Sequence, residues 1–418
     1  FFAIICALII GMPLARADSV WTNGFDVRAN LALSGFTNRP LPTGPATEWV
    51  DSERWSVAHA CLEANARRDE ANRYFAEVEF VSMRRGLVAD TDVQITDLLW
   101  TWFRFRDSER LTPVARDHLM AMFKGWQVPN PDRNRKADSE YEWLFEYTED
   151  HSLNILAAAY LIDFLSGRDR SLRADLLLRF LQDRARWGWS EFHSPAYALV
   201  TAKALCLLAA VAPDREVADS ARMHLDLMAF DFAATGLGAW RGMPHARGYG
   251  SEISNAGNSF CDVIRLWFGS QEQWDCLPAN PFLVHMATGP YRPPEVAARW
   301  IRDLSARGRY EMRKTVTQGP GKQRIPIVAW VTPVVTMASA QGAGSYHDGS
   351  YCSISFASSP ASVIVARDGK QYNILQRRDV LATFGTVSWH GALARETEGN
   401  LTIGGDAEAW VGQLDLAP

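Results

Sequence analysis

A mainly α-helical chain with a β-rich C-terminal part is what three features of this sequence predict. Between residues 51 and 306 apolar residues recur at spacings of three and four, the period of one helix face. The connections between those stretches are mostly short, which folds consecutive helices back on each other as antiparallel hairpins. Past Gln318-Gly-Pro-Gly-Lys322 the texture changes to brief β-prone runs parted by Gly, Ser, Asn and Asp. Helix hairpins followed by a β domain is the layout of an α/α toroid, here an incomplete one with a sandwich-like, truncated β-rich C-terminal domain.

The elements follow in order. Residues 1–10 are an apolar run, too short to span a bilayer as a helix, and Ala15-Arg-Ala17 offers a small-x-small cleavage site before Asp18. Gly11 and Pro13 argue against a buried N-terminal helix, so residues 1–17 read as a partial signal peptide, and the expected location is periplasmic or secreted. Helices are expected over 51–80, 92–105, 113–126, 150–165, 171–186, 194–212, 216–234, 252–268 and 293–306. Pro213-Asp214 ends one helix and opens the next. Strands are expected over 325–338, 351–357, 362–366, 372–376, 387–394 and 400–403. The division is thus a helical catalytic domain over 18–315 and a β domain over 325–418. No closing element follows Leu414, so the chain reads as a fragment cut at both ends.

Composition narrows the function. Hydrophobic residues make up 47% and charged residues 22%, which is globular rather than disordered. With 43 basic and 48 acidic residues the formal net charge is -5, and no basic block suggests nucleic acid. A mildly acidic total still permits a polyanionic partner, because a local cleft decides that. The 16 tryptophans serve core packing or, in part, form platforms for sugar rings. Beyond Cys6 in the leader, Cys61, Cys206, Cys261, Cys276 and Cys352 are an odd set whose spacing fits no metal motif. Cys206 reads as a buried thiol, and a Cys261–Cys276 bridge stays open. His151, His193 and His245 have no recognised ligand spacing, so no metal is expected, and no P-loop or dinucleotide fingerprint implies a cofactor.

Three segments carry titratable groups beside apolar helices. In the first, Asp150, His151 and Asn154 open a helix, and spacings of three and four put Asp150 and His151 each on a face with Asn154. Capping by Thr148 or Asp150 accounts for one acid but not for all three groups. In the second, Ser190-Glu191-Phe-His193-Ser-Pro-Ala-Tyr197, Ser194 and Pro195 form an N-cap and N1 pair that leaves His193 just outside a positive helix end. That end suits a sugar carboxylate and keeps a neighbouring imidazole neutral, able to take a proton. Trp187 and Trp189 precede it as a candidate sugar floor. In the third, His245-Ala-Arg247-Gly-Tyr249-Gly, the glycines let backbone approach a ligand, Arg247 suits a bidentate carboxylate, and its charge lowers the Tyr249 pKa. Glu252 follows on the next turn.

The pattern Glu149-Asp-His151, then Trp189-Ser-Glu-Phe-His-Ser-Pro-Ala-Tyr197, then Arg247-Gly-Tyr249, resembles bacterial α/α-toroid polysaccharide lyases of the alginate and glucuronan lyase and heparinase II/III-like groups. The likeness covers about residues 90–270, and rests on order and helical context more than on any one motif. It implies cleavage of an acidic, uronate-containing polysaccharide by metal-free β-elimination. It also implies roles: Tyr249 as acid, and as base too if elimination is syn, His193 as base for anti chemistry, and Arg247 and His151 as neutralisers of the substrate carboxylate. Asp150, Asn154, Glu191, Trp187, Trp189, Tyr197, His245 and Glu252 are then substrate-binding candidates. One departure stands out. Such lyases commonly carry Asn before the helix histidine, where this chain has Asp150; the acid serves if burial keeps it protonated, and otherwise orients His151. Two rivals remain: a glycoside hydrolase on the same toroid, using two of Glu149, Asp150, Glu191 and Glu252, and a non-catalytic glycan-binding protein.

Overall fold

The computed structural model describes residues 20–41, 50–80, 91–128, 148–195, 197–237, 244–246, 259–269, 280–318, 323–341, 352–356, 359–366, 373–378, 380–384, 388–390, 400–405 and 409–415. They form a mainly helical protein with antiparallel β-sheets at the C-terminal end. The helices are α1 (Val20–Thr37), α2 (Val50–Glu63), α3 (Arg68–Glu77), α4 (Thr91–Phe105), α5 (Pro113–Gly125), α6 (Glu149–Leu165), α7 (Ser171–Trp187), α8 (Ala198–Val211), α9 (Arg215–Thr235), α10 (Ser259–Phe268), α11 (Leu283–Thr288), α12 (Glu295–Arg302) and α13 (Leu304–Arg307).

Two kinds of helix alternate. In α4, α6 and α8 nearly every residue is buried, whereas α5, α7 and α9 bury one stripe, such as Ala115, Leu119 and Phe123 of α5. A helix buried all round must be walled in by neighbours, and a striped one lies outside with its polar face in water. Contacts agree: α1 packs on α2, α2 on α4, α4 on α6, α6 on α8, α8 on α11, and α11 back on α1, while α3, α5, α7 and α9 pack against members of this circuit and α12 against α9 and α10. No helix of the described residues is long and apolar enough to cross a membrane.

Several expected boundaries shift. The stretch 51–80 is two helices, parted by a turn in which Asn65 and Arg67 take φ of 52° and 47°; a left-handed residue cannot continue an α-helix, and Asn tolerates that conformation best after Gly. The stretch 293–306 breaks at Asp303, whose carboxylate caps the Ala306 N–H at 2.8 Å. Helices α1 and α11 were not anticipated. Of the expected 252–268 helix, residues from Ser259 onward are helical and 251–258 lie outside the described residues.

The β part begins earlier than residue 325, inside the stretch assigned to the helical domain. Strand β1 (Tyr310–Gln318) pairs antiparallel with β2 (Gln323–Val331) from Tyr310↔Val331 to Gln318↔Gln323. The run 325–338 holds two strands, because Thr332 turns the chain: its N–H and hydroxyl both donate to the Val335 carbonyl, at 2.9 and 3.0 Å, before β3 (Val335–Ala340). Then follow β4 (Cys352–Phe356), β5 (Ser359–Ala366), β6 (Asn373–Arg377), β7 (Val380–Phe384), β8 (Ser388–His390), β9 (Asn400–Gly405) and β10 (Ala409–Asp415). One sheet has the order β1-β2-β3-β4-β5-β8 and the other β6-β7-β10-β9. They touch where the Gln376 side chain donates to the Met337 carbonyl at 2.8 Å.

The first sheet is fastened to the loop after α7 and to the end of α9. Gly188 caps α7 at φ 74°, and a Cβ there would stand 3.1 Å from Val316 Cγ1, so glycine lets the loop after α7 lie directly on β1. Thr317 donates to the Trp187 carbonyl at 3.2 Å and Thr336 to the Thr235 carbonyl at 3.2 Å. Phe192 and Ala246 share an apolar cluster with Val316, Ile325, Ile327 and Met337. Cys61 and Cys206 are buried thiols, while Cys276 lies outside the described residues.

Candidate active site at the helix N-termini

The N-terminal ends of α4, α6 and α8 come together, and Asp150 and His151 of the expected polar residues sit there. His151, in the first turn of α6, places Nδ1 2.9 Å from Asp92 Oδ2 and 3.1 Å from Oδ1, across to the first turn of α4. With Nδ1–H donating to Asp92, Nε2 is the basic nitrogen of the ring. It lies 4.0 Å from Asp150 Oδ2. The Asp150 carboxyl is 1% exposed, and neither oxygen has a hydrogen-bond partner among the described residues. Helix ends favour acids at this position, since the unpaired N–H groups of the first turn are positive.

Glu149 ties this end to the next. It pairs with Arg184 of α7 and accepts from the backbone N–H groups of Ser190 and Glu191 at 2.6 and 3.0 Å. The loop from Gly188 to Ser194 is thereby clamped beside α6. On its other side Phe192 accepts from the Ala246 N–H at 3.1 Å. The Glu149 side chain, the loop of residues 188–194 and Ala246 therefore meet here. Arg247, Tyr249 and Glu252 lie outside the described residues. His245 is fully buried.

His193 stands at the centre of that loop with φ 52°, a left-handed conformation that a β-carbon makes costly. Its Nε2 pairs with Asp231, near the end of α9, and lies 2.9 Å from Lys314 Nζ of β1. Lys314 and Asp231 are themselves 2.5 Å apart. Burial would raise the Asp231 carboxyl, but the His193 and Lys314 charges outweigh it and hold the group well below the usual carboxylate range. The expectation of an open imidazole under a helix end is corrected here: the His193 side chain is 2% exposed, with Phe232 edge-on at 5.7 Å, against 15% for His151. Ser194 does cap, accepting from the Tyr197 N–H at 3.1 Å, though the regular helix counts only from Ala198.

Other expected residues are placed inside rather than at the rim. Asn154 is fully buried; it accepts from the Thr96 hydroxyl at 2.8 Å and donates to the Asp150 carbonyl at 2.7 Å, tying α6 to α4. Tyr197 belongs to the apolar core and Glu191 is buried. Trp189 is edge-on to Phe180 and His224, at 6.2 and 5.5 Å. Trp187 carries guanidinium groups over its ring, so it offers cations rather than a bare indole floor. Glu149 is committed to Arg184 and to two backbone N–H groups.

Asp92, Asp231 and Lys314 were missed. A lone carboxylate within Met228-Ala-Phe-Asp231-Phe-Ala-Ala234 was a usable signal, since an acid in an apolar helix end needs a partner. Nothing local marks Lys314. Among the described residues no three His, Cys, Asp or Glu side chains are grouped to hold a metal ion. Compared with protein-family models, curated proteins and solved structures, the chain matches none.

Proposed function

We propose that the chain is a polysaccharide lyase that cleaves a uronic-acid polymer by β-elimination, on an α/α toroid whose inner helices are those of the buried circuit. The Asp92–His151 pair carries the reading: a partly exposed imidazole, oriented by a carboxylate, at a rim where three helix N-termini favour an anion. In this reading a uronate carboxylate rests against those helix ends and against Arg247. His151 Nε2 takes the C5 proton, the C4–O4 bond breaks as the C4–C5 double bond forms, and Tyr249 gives its proton to O4. His193 holds the loop and passes no proton to substrate, because its ring is closed in by Asp231, Lys314 and Phe232. A leader at residues 1–17 and export to the periplasm or beyond go with an extracellular polymer as substrate.

Incubation with alginate, glucuronan, hyaluronan and heparin, followed by the ultraviolet absorbance of the new double bond, tests this. At least one polymer should yield the unsaturated product, and His151→Gln should slow it by about 10²–10⁴-fold, the range for a general base, with urea unfolding unchanged. New reducing ends without absorbance would replace elimination by hydrolysis; no product from any polymer would remove the enzyme altogether.

A further inference from the structure

Several arginines at the surface of this protein are paired with a carboxylate. Arg67 pairs with Glu70, Arg104 with Glu63, Arg168 with Asp163, Arg292 with Asp26 and Arg313 with Glu311. Arg186, at the end of α7, and Arg324, on β2, share a single indole instead. Both are exposed, and neither makes a hydrogen bond or ion pair among the described residues. Each instead holds its guanidinium over the ring of Trp187, 4.5 Å from the centroid. With 48 acidic residues against 43 basic ones, carboxylates are not scarce. We infer that Arg186, Trp187 and Arg324 form a second subsite, which binds the charged groups of an acidic polysaccharide chain outside the reaction centre.

The geometry suits that task. A guanidinium stacked on an indole is held by its face, so its N–H edge stays directed at solvent and loses little freedom on binding. Two such forks on one ring are a preorganised clamp for planar anions such as carboxylates. The ring is itself fixed, because the Trp187 carbonyl accepts from Thr317, the residue paired with Arg324 between β1 and β2. The clamp also has a direction. The loop from Trp187 to His193 runs along β1, from Thr317 at one end to Lys314 at the other. Three residues of strand span roughly 10 Å, so a polymer lying on this seam reaches from the rim to the clamp. The inference rests on the acidic-polymer reading above, but binding and cleavage are separable.

Arg186→Gln with Arg324→Gln removes both charges from exposed positions and leaves the core alone. Binding of alginate and of heparin, by calorimetry at low salt, distinguishes a carboxylate clamp from one that prefers sulfate. The double variant should bind the preferred polymer about five- to tenfold more weakly, as two exposed charge-assisted contacts predict, while Arg215→Gln, at an exposed arginine on α9 that pairs with Asp219, should change nothing. Equal affinity for variant and wild type, equal weakening by Arg215→Gln, or no binding of either polymer to the wild type would each overturn the subsite. Wild-type binding that depends on the two arginines, without any unsaturated product, would keep the subsite and discard the lyase.

Discussion

The rim and the centre of the helical circuit use the same chemical parts to opposite ends. At the rim are His151 with Asp92 and His193 with Asp231 and Lys314. In the centre Lys203 pairs with Asp97, and donates to the Val93 carbonyl at 2.8 Å and to the Thr96 hydroxyl at 3.2 Å. His285 Nε2 stands 3.3 Å from Asp97, and His59 meets the Thr101 hydroxyl at 2.9 Å. Every one of these central groups is buried. Burial pushes Asp97 up to about 6 against the pull of Lys203, lowers Lys203, and drives His59 down to about 3. A histidine held by a carboxylate is thus part of a structural knot in the centre and, at His151, a candidate site at the rim. What separates them is access and a helix end, not composition.

The sharpest way to break this comparison is to make one change in both regions. Lys203→Met leaves Asp97 buried without its counter-charge and should cost about 3–5 kcal/mol, read by urea unfolding. Lys314→Met, at a side chain 18% exposed, should cost no more than about 1 kcal/mol. Similar losses would mean that the rim is as structural as the centre.

The pH dependence sharpens it further. An unfolded His59 takes up its proton near 6.5 and the folded one only near 3, so the unfolded state binds more protons between these values and stability falls as the pH drops through that window. Asp97, raised from 3.8 to about 6, acts in the opposite sense between those two values and offsets part of the loss. His59→Gln should therefore shrink the fall in stability between pH 7 and pH 5 by about 2 kcal/mol. Denaturant midpoints at both pH values check this, and an unchanged fall would mean that His59 is not held neutral.

The smallest effect tests whether the two regions are joined. Thr96 links Lys203 to Asn154 and so the centre to α6. Thr96→Val keeps the shape and should cost about 1 kcal/mol in thermal unfolding, with the low-field proton resonance of the Asp92–His151 bond retained. Its disappearance would make centre and rim a single unit.

Much of this was legible along the chain. Thr112-Pro113 opens α5 as its cap and first position should, with Thr112 Oγ1 accepting from the Ala115 N–H. The α6 and α8 stretches read as helices from apolar spacing alone. Lys203, the one charge on α8, and Asp231, within the apolar last turns of α9, are visible in the sequence as charges in greasy surroundings, which tells that a partner exists without telling which. The turn at Asn65–Arg67 and the early start of β1 were not legible, because both depend on where neighbouring elements pull the chain rather than on local preference.

The sequence by itself determined most of the long helices, the change to strands toward the C-terminal end and which short segments concentrate polar groups, since those follow from periodicity and capping within a few residues. Only the tertiary structure decided that His151 faces Asp92, that His193 is closed in by Asp231 and Lys314, and that the arginines at 186 and 324 share one indole. Such pairings join residues far apart in the chain, and burial, the quantity that fixes an imidazole's proton and its reach, exists only once the helices have packed.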